Sequence, residues 1–430
     1  MTTAHDLPID QRLETVLAAA QHAQRLPSVV AGIHGAGVDW RGGGGAADRW
    51  EDPGRVQFRI GSITKTFTAV LVMQLIDEGV IDLATPVGAF VPGLGEYSSA
   101  TIGALLSHRS GMQAEPVGQW WERVEGVDIT ALVAANDGGD AVARPDQMFH
   151  YSNLAFGYLG AAIEAICGAG WSTVLEERLL GPLQLSRTSH HAELPAAQGY
   201  AVDPWRLDLS PEPHPDYRAM APAGQLWSTI DDLLSWGRFL LHGDEAIVPT
   251  ALLEQMRVSL TDPVAAGAAG REGYGLGLQV VGDRFGHNGG VPGFGATLLI
   301  DPVQDAVSAT LTNGNYRGYG IAGQLLDHLG RSPSALPARP AQPWLPSAPV
   351  PSALIGLLGP WVWTDQVMIA RWESDAVVFR NPSGVEVHRF GLVEAVIRGL
   401  AGYLTGETLR VLPDGSLDCA TFRFVRPSVD

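Results

Sequence analysis

Ser62 and Lys65 stand three residues apart at the head of GSITKTFTAVLVMQLIDEG, residues 61–79, and this pair is the part of the sequence best suited to chemistry. Three residues along a helix bring side chains back to one face, so the Lys65 amine would lie beside the Ser62 hydroxyl. An uncharged amine there takes the hydroxyl proton and makes a competent nucleophile. Most Ser-x-x-Lys matches are only a surface serine and a solvated lysine. Composition argues otherwise here, because Lys65 is the only lysine in 430 residues and every other cationic side chain is arginine. Arginine stays protonated and cannot accept a proton, so the single lysine sits where arginine would fail as a base. Burial, with no carboxylate partner expected beside it, would lower its pKa from the usual value of about 10.4.

The elements around this pair follow from pattern. Phe67, Val70, Leu71, Leu75 and Ile76 recur at helical spacing and Gly79 offers a left-handed stop, so a helix begins at or near Ser62. Upstream, an amphipathic helix leads to a hairpin over residues 28–33 and 38–40, with Gly42 to Gly45 expected as a flexible tip. That glycine run has no Gly-Lys-Ser/Thr after it, which excludes a phosphate loop. Downstream, Thr101 would cap a short helix. Residues 112–149 are irregular and carry the adjacent Trp120 and Trp121. His150-Tyr151-Ser152-Asn153 opens an apolar helix of small residues, and Thr229 or Asp231 would cap another. Strands are expected at 274–281, 296–300 and 306–311, with a closing helix at 321–329.

Prolines at 333, 337, 340, 343, 346, 349 and 351 then mark an extended linker. The expected division is a catalytic domain at 1–330, a linker at 331–352 and a small all-β, lipocalin-like domain at 353–430. In its last strand, alternation sets Arg423 opposite Phe422 and Phe424, and Arg426 at the strand end is either solvated or free to bind a substrate carboxylate.

Composition is that of a globular protein, with 46% hydrophobic and 17% charged residues. A net charge of -18 excludes nucleic-acid binding as an expectation. Cys167 and Cys419 lack paired spacing, and His108, His150, His190 and His191 lack paired spacing with carboxylates or cysteines, so neither metal nor cofactor is expected. No apolar run approaches a membrane span and no basic-then-apolar leader opens the sequence, so a cytoplasmic protein is expected.

Three motifs stand in order: Ser62-Ile63-Thr64-Lys65, Tyr151-Ser152-Asn153 and His287-Asn288-Gly289 with Gly290. Together they resemble the penicillin-recognising serine hydrolases, which include class C β-lactamases, D-aminopeptidases, D,D-carboxypeptidases and family VIII carboxylesterases. The resemblance spans roughly residues 10 to 330. It implies an α/β (α+β) fold: an antiparallel sheet flanked by helices, an all-helical subdomain, and here a small C-terminal antiparallel β-barrel or sandwich. It also implies an acyl-enzyme on Ser62, with Lys65 and Tyr151 moving protons and Asn153 orienting Lys65 and a substrate amide. The amides of Ser62 and Gly290 would form the oxyanion hole, Gly289 and Gly290 being small enough to allow the approach. Gly224 would join the substrate site, and Trp120, Trp121 and Trp227 would wall an apolar acyl pocket or simply fill the core. The family's usual Lys-Thr-Gly is His287-Asn288-Gly289 here, which resembles the aminopeptidase branch, makes glycine-flanked His287 an expected catalytic residue outside the core, and removes a cation that would hold a β-lactam carboxylate.

The expected activity is hydrolysis or acyl transfer on a small ester or amide, D-amino-acid peptides included. One rival is a penicillin-binding-protein-type thioesterase that macrocyclises nonribosomal peptides delivered by a peptidyl carrier protein. Another is a non-catalytic binding protein on the same fold. Partners are a small-molecule or peptide acyl substrate, with no nucleic acid and no membrane.

Overall fold

In the computed structural model, which describes residues 7–46, 50–261, 264–266, 270–329, 335–346 and 349–427, the chain forms two compact units. The first comprises Met1–Tyr200 and Pro211–Trp344, and the second Ala201–Ser210 and Leu345–Asp430.

The first unit is built on an antiparallel sheet of eight strands. Their spatial order is Val38–Gly45, Ser28–Gly35, Ala306–Thr312, Phe294–Asp301, Arg284–Val291, Gln279–Val281, Gly270–Tyr274 and Val264–Ala266. Strand alternation feeds two cores from one segment. Val29, Ala31 and Ile33 meet Leu13, Val16 and Leu17 of the helix Ile9–Gln24, together with Ile321 and Leu325. Val30 faces the opposite side, where Leu298, Val307 and Trp236 belong to the large core. The glycines Gly42 to Gly45 are not a flexible tip: they pair with Ser28 to Ala31 as the end of the edge strand. Glycine carries no side chain to reveal strand pattern, and the β-branched partner strand supplies the order.

The helix Thr64–Asp77 runs through the large core, buried on every face from Thr64 to Leu75. Phe67 stacks on Trp236 with ring centroids 3.9 Å apart, and the Trp236 indole N–H donates to Thr66 Oγ1 at 2.8 Å. Gly79, at φ +70°, ends it in the left-handed conformation while the Val80 N–H reaches back to the Leu75 carbonyl. Thr101 caps its helix through its side-chain oxygen as the sequence predicts, and of the two candidates Thr229 and Asp231 it is Thr229 that caps the other.

The second unit packs Trp361, Phe379, Phe390, Leu417 and Phe424 between a five-stranded and a three-stranded antiparallel sheet. Isolated bridges at Val362–Val425 and Arg398–Thr408 link the sheets, but among the described residues no continuous ladder closes them into a barrel. The segment 201–210, far away in sequence, belongs here: the Trp205 carbonyl accepts from the Trp372 N–H at 2.8 Å. Residues 335–344 of the proline-rich stretch belong to the first unit, where the Gln21 side chain bonds both backbone polar groups of Trp344. Pro333 lies outside the described residues.

Because Phe67 is wholly buried against Trp236, Phe67→Ala should cost about 3–5 kcal/mol. Urea denaturation followed by tryptophan fluorescence checks this, and a loss below about 1 kcal/mol would contradict the packing described.

Candidate active site

Ser62 sits in a single 3-10 turn, Gly61–Ile63, that runs straight into the helix carrying Lys65. The amine lies 2.9 Å from Ser62 Oγ, 2.6 Å from Asn153 Oδ1 and 2.6 Å from the Ala223 carbonyl oxygen. Lys65 is fully buried, whereas Ser62 is half-buried and reachable. Each partner comes from a different stretch of chain, and local sequence explains each.

Asn153 starts the helix Asn153–Cys167, whose N-cap Ser152 accepts from the Ala155 N–H. The preceding loop is tied to residues 108–114: the Ser152 N–H donates to His108 Nδ1 at 3.0 Å and the Asn153 N–H to the Ala114 carbonyl at 2.7 Å. Tyr151 is held in the same loop, its ring 4.0 Å from that of His108. The small residues of this helix admit the segment bearing Ala223: a Cβ at Gly160 would meet Pro222 Cγ at 2.1 Å, and one at Gly157 would meet Met220 Sδ at 2.9 Å. Thr68 Oγ1 donates to the Pro222 carbonyl and the Leu226 N–H to Thr64 Oγ1, stitching that segment to the nucleophile helix.

The third motif lies on the strand Arg284–Val291, pressed against the nucleophile turn. A Cβ at Gly289 would come within 1.8 Å of the Ile60 carbonyl oxygen and 3.2 Å of the Ser62 amide. One at Gly61 would come within 2.6 Å of the Gly290 amide. Only glycine fits, and the approach brings the Ser62 and Gly290 N–H groups into one neighbourhood. The first amides of a helical turn have no intrahelical acceptor, so an oxyanion is a natural partner for Ser62 N–H. Gly224 borders the same turn, its Cβ position 3.7 Å from the Trp121 ring and 3.8 Å from Gly61.

His287 differs from expectation. A histidine flanked by glycines reads as a loop residue, yet it is 2% exposed and lies within the sheet. Its Nε2 faces the Tyr274 hydroxyl at 2.9 Å and its Nδ1 bonds the Asn288 carbonyl, so both ring nitrogens are used by the protein. Burial first, then the Lys65 charge, pulls its pKa down to about 3. It is therefore neutral and cannot stand in for a lysine cation.

The tryptophans separate. Trp121 is buried, stacks edgewise on Tyr217 and donates its indole N–H to Glu115 Oε2 at 2.6 Å. Trp120 is half-exposed and bonds Glu122. Trp227 packs on Phe294 and His214 in the core, so its place is structural. Arg426 is occupied within its own unit, over the Trp361 ring at 3.7 Å and bonded to the Pro360 and Gly356 carbonyls. Arg426 nevertheless remains exposed, so its guanidinium is partly solvated while it bonds its own unit.

Sequence reasoning missed the carboxylates. Glu115 accepts from Asn153 Nδ2 at 2.7 Å, fixing the amide so that its oxygen meets Lys65. Glu122 accepts from Tyr316 Oη at 2.6 Å. Lys65 therefore has carboxylates near it, contrary to expectation, yet desolvation outweighs their pull and lowers its pKa to about 7. Tyr151 moves the other way: desolvation raises its pKa despite its hydrogen bond to Ser62, keeping it protonated. At neutral pH the lysine can accept a proton and the tyrosine can only pass one on. The signal for Glu115 was faint, one of seven acids in the irregular stretch 112–149.

A family model described as Beta-lactamase matches residues 13–330. The chain belongs to the beta-lactamase family. Members of this superfamily are serine hydrolases, and the three-motif resemblance points to the same group. A second model, for a domain of unknown function (DUF7586), matches residues 350–426. Penicillin-binding protein 4 of Amycolatopsis lactamdurans is 30% identical over 281 residues, covering 60% of this chain and 72% of that protein. The D-stereospecific amidohydrolase of a Streptomyces species superposes with a TM-score of 0.61 at 27% identity, over 72% of this chain and 96% of its own. SurE, solved also with D-Leu, gives 0.63 at 25% identity over 97% and 99%. Among the described residues no single helix is long and apolar enough to cross a membrane.

The acid limb of kcat/KM should follow Lys65 deprotonation, so activity rises with pH through about 7. Glu115 pulls the Lys65 pKa upward, and Glu115→Gln should move that limb to lower pH; an unmoved limb in a pH–rate series would separate the two groups. For His287→Ala, buried volume and two lost hydrogen bonds predict a stability loss of about 2–4 kcal/mol, measured by chemical denaturation. Unchanged stability would return His287 to a purely chemical role.

Proposed function

We propose that this chain is a serine acyl-hydrolase that cleaves small amides or esters of D-configured amino acids bearing a free amine. The observation that carries this reading is the buried Lys65 bonded to Ser62, in a cleft whose nearby charges are the carboxylates of Glu115 and Glu122. Neutral Lys65 takes the Ser62 proton as Oγ attacks the carbonyl carbon. The amides of Ser62 and Gly290 hold the oxyanion, each such donor contributing about 3 kcal/mol. Tyr151 passes a proton to the leaving amine, and water then attacks the acyl-enzyme by the same route in reverse. Asn153 and Glu115 hold the lysine in place.

Carboxylates in the cleft favour a substrate ammonium and oppose a carboxylate. Neutral His287 supplies no compensating cation, which argues against β-lactam hydrolysis. The likeness to a D-stereospecific amidohydrolase and to SurE with D-Leu supports the D configuration.

A second reading keeps the acyl-enzyme and replaces water by an amine, as in a peptide-cyclising thioesterase fed by a carrier protein. The pair that forms the acyl-enzyme, Ser62 and Lys65, serves either acceptor, so this reading differs only in the group that takes the acyl chain.

The test is a panel of p-nitroanilides and thioesters with peptide mapping of a fluorophosphonate adduct. The expected results are an adduct on Ser62 and about tenfold or greater preference for free-amine D-aminoacyl anilides over their N-acetyl forms. Preference for N-acetyl or penicillin substrates would overturn the amine assignment. Turnover of thioesters only with an added amine nucleophile would select the second reading.

A further inference from the structure

Away from the catalytic cleft, the fold completes a donor set that sequence spacing hides. His190 and His191 follow a short bridge between Ser189 and Trp227, and Asp216 lies in the loop ahead of the 3-10 turn Arg218–Met220. The carboxylate nearest in sequence, Glu193, pairs with Arg187 instead, whereas folding brings Asp216 to the two histidines. One ligand atom from each of the three lies within 4.8 Å of the others. They border a cavity of about 480 Å³ that Asp128 and Glu164 also line. We infer that His190, His191 and Asp216 form a binding site for a divalent transition-metal ion of the zinc class.

Two imidazoles and one carboxylate suit zinc, nickel or cobalt, whereas magnesium and calcium prefer all-oxygen sets. Three protein ligands leave room for water or for a further carboxylate from the cavity wall. Glu164 uses one oxygen on the Trp171 N–H, and Asp128 uses one on the Ala131 N–H. Three carboxylates and one guanidinium, that of Arg218, line the cavity, and Arg59, bonded to Gln225 and the Pro215 carbonyl, adds a second positive charge close by, leaving a net excess of one carboxylate for a cation.

Buried Gln225 fixes the two arms that carry the donors. Its Nε2 donates to the His190 carbonyl at 3.0 Å and its Oε1 accepts from the Tyr217 N–H at 2.9 Å. Asp216 is further held by the Arg218 N–H at 2.8 Å. A site held this way needs little reorganisation to take an ion. The ordinary alternative is an ion pair, His190 Nε2 to Asp216 Oδ1 at 3.1 Å, with exposed His191 serving no purpose. The two readings differ on His191, which an ion pair does not need.

The experiment uses the untagged full chain, stripped with chelator and titrated with zinc chloride by calorimetry, then with cobalt(II) by visible absorption. One equivalent of zinc should bind with a dissociation constant of about 10 µM or tighter, and cobalt should give d–d bands. Zinc should also raise the thermal midpoint. His191→Ala, at an exposed position, and Asp216→Asn should each weaken binding by about 10- to 100-fold while basal hydrolysis with His191→Ala stays unchanged. Absence of stoichiometric binding by the folded wild type overturns the inference, as does undiminished binding in His191→Ala.

Discussion

An amine taken wholly out of water must have its polar contacts replaced, and the first unit is arranged to do this for Lys65. Three oxygens surround the nitrogen, from Ser62, Asn153 and Ala223. These acceptors are neutral, so no ion pair offsets the loss of hydration. Glu115 and Glu122 pull the pKa upward, but burial prevails and leaves it at about 7. A direct carboxylate partner would hold the proton on the lysine and remove the base. Placing Asn153 between Glu115 and Lys65 keeps the geometry of such a pair without its full charge.

Much of the surrounding structure serves that arrangement. The nucleophile helix is buried on all faces, which is what excludes water from the amine. Gly157 and Gly160 let the segment 220–223 close on the helix Asn153–Cys167, and so deliver the Ala223 carbonyl. Gly61 and Gly289 let the sheet edge meet the nucleophile turn. The arrangement has a thermodynamic consequence. Between pH 7 and about 10.5 the unfolded lysine binds a proton that the folded one has lost, so stability from this group rises with pH across that window.

Ser62 and Lys65 were legible because composition singles out the lysine and because helical periodicity and Gly79 locate the helix. Tyr151 and Asn153 followed from motif order, and the caps at Thr101 and Thr229 from residue chemistry. His287 was misread for a physical reason: the glycines beside it report a close approach of the strand to the nucleophile turn, not exposure. Glycine also hid the strand at 42–45, where no side-chain alternation exists to be seen. Glu115, Glu122 and Asp216 act through contacts between segments distant in sequence, which spacing cannot encode. The attachment of 201–210 to the second unit is of the same kind.

The account stands on the protonation state of the solitary lysine. Biosynthetic labelling with lysine carbon-13 at Cε yields one side-chain resonance, and its titration can be followed by NMR in active enzyme. A midpoint near 7 is expected. A midpoint near the ordinary value of about 10.4, in enzyme shown to be active in the same tube, would contradict Lys65 as the base.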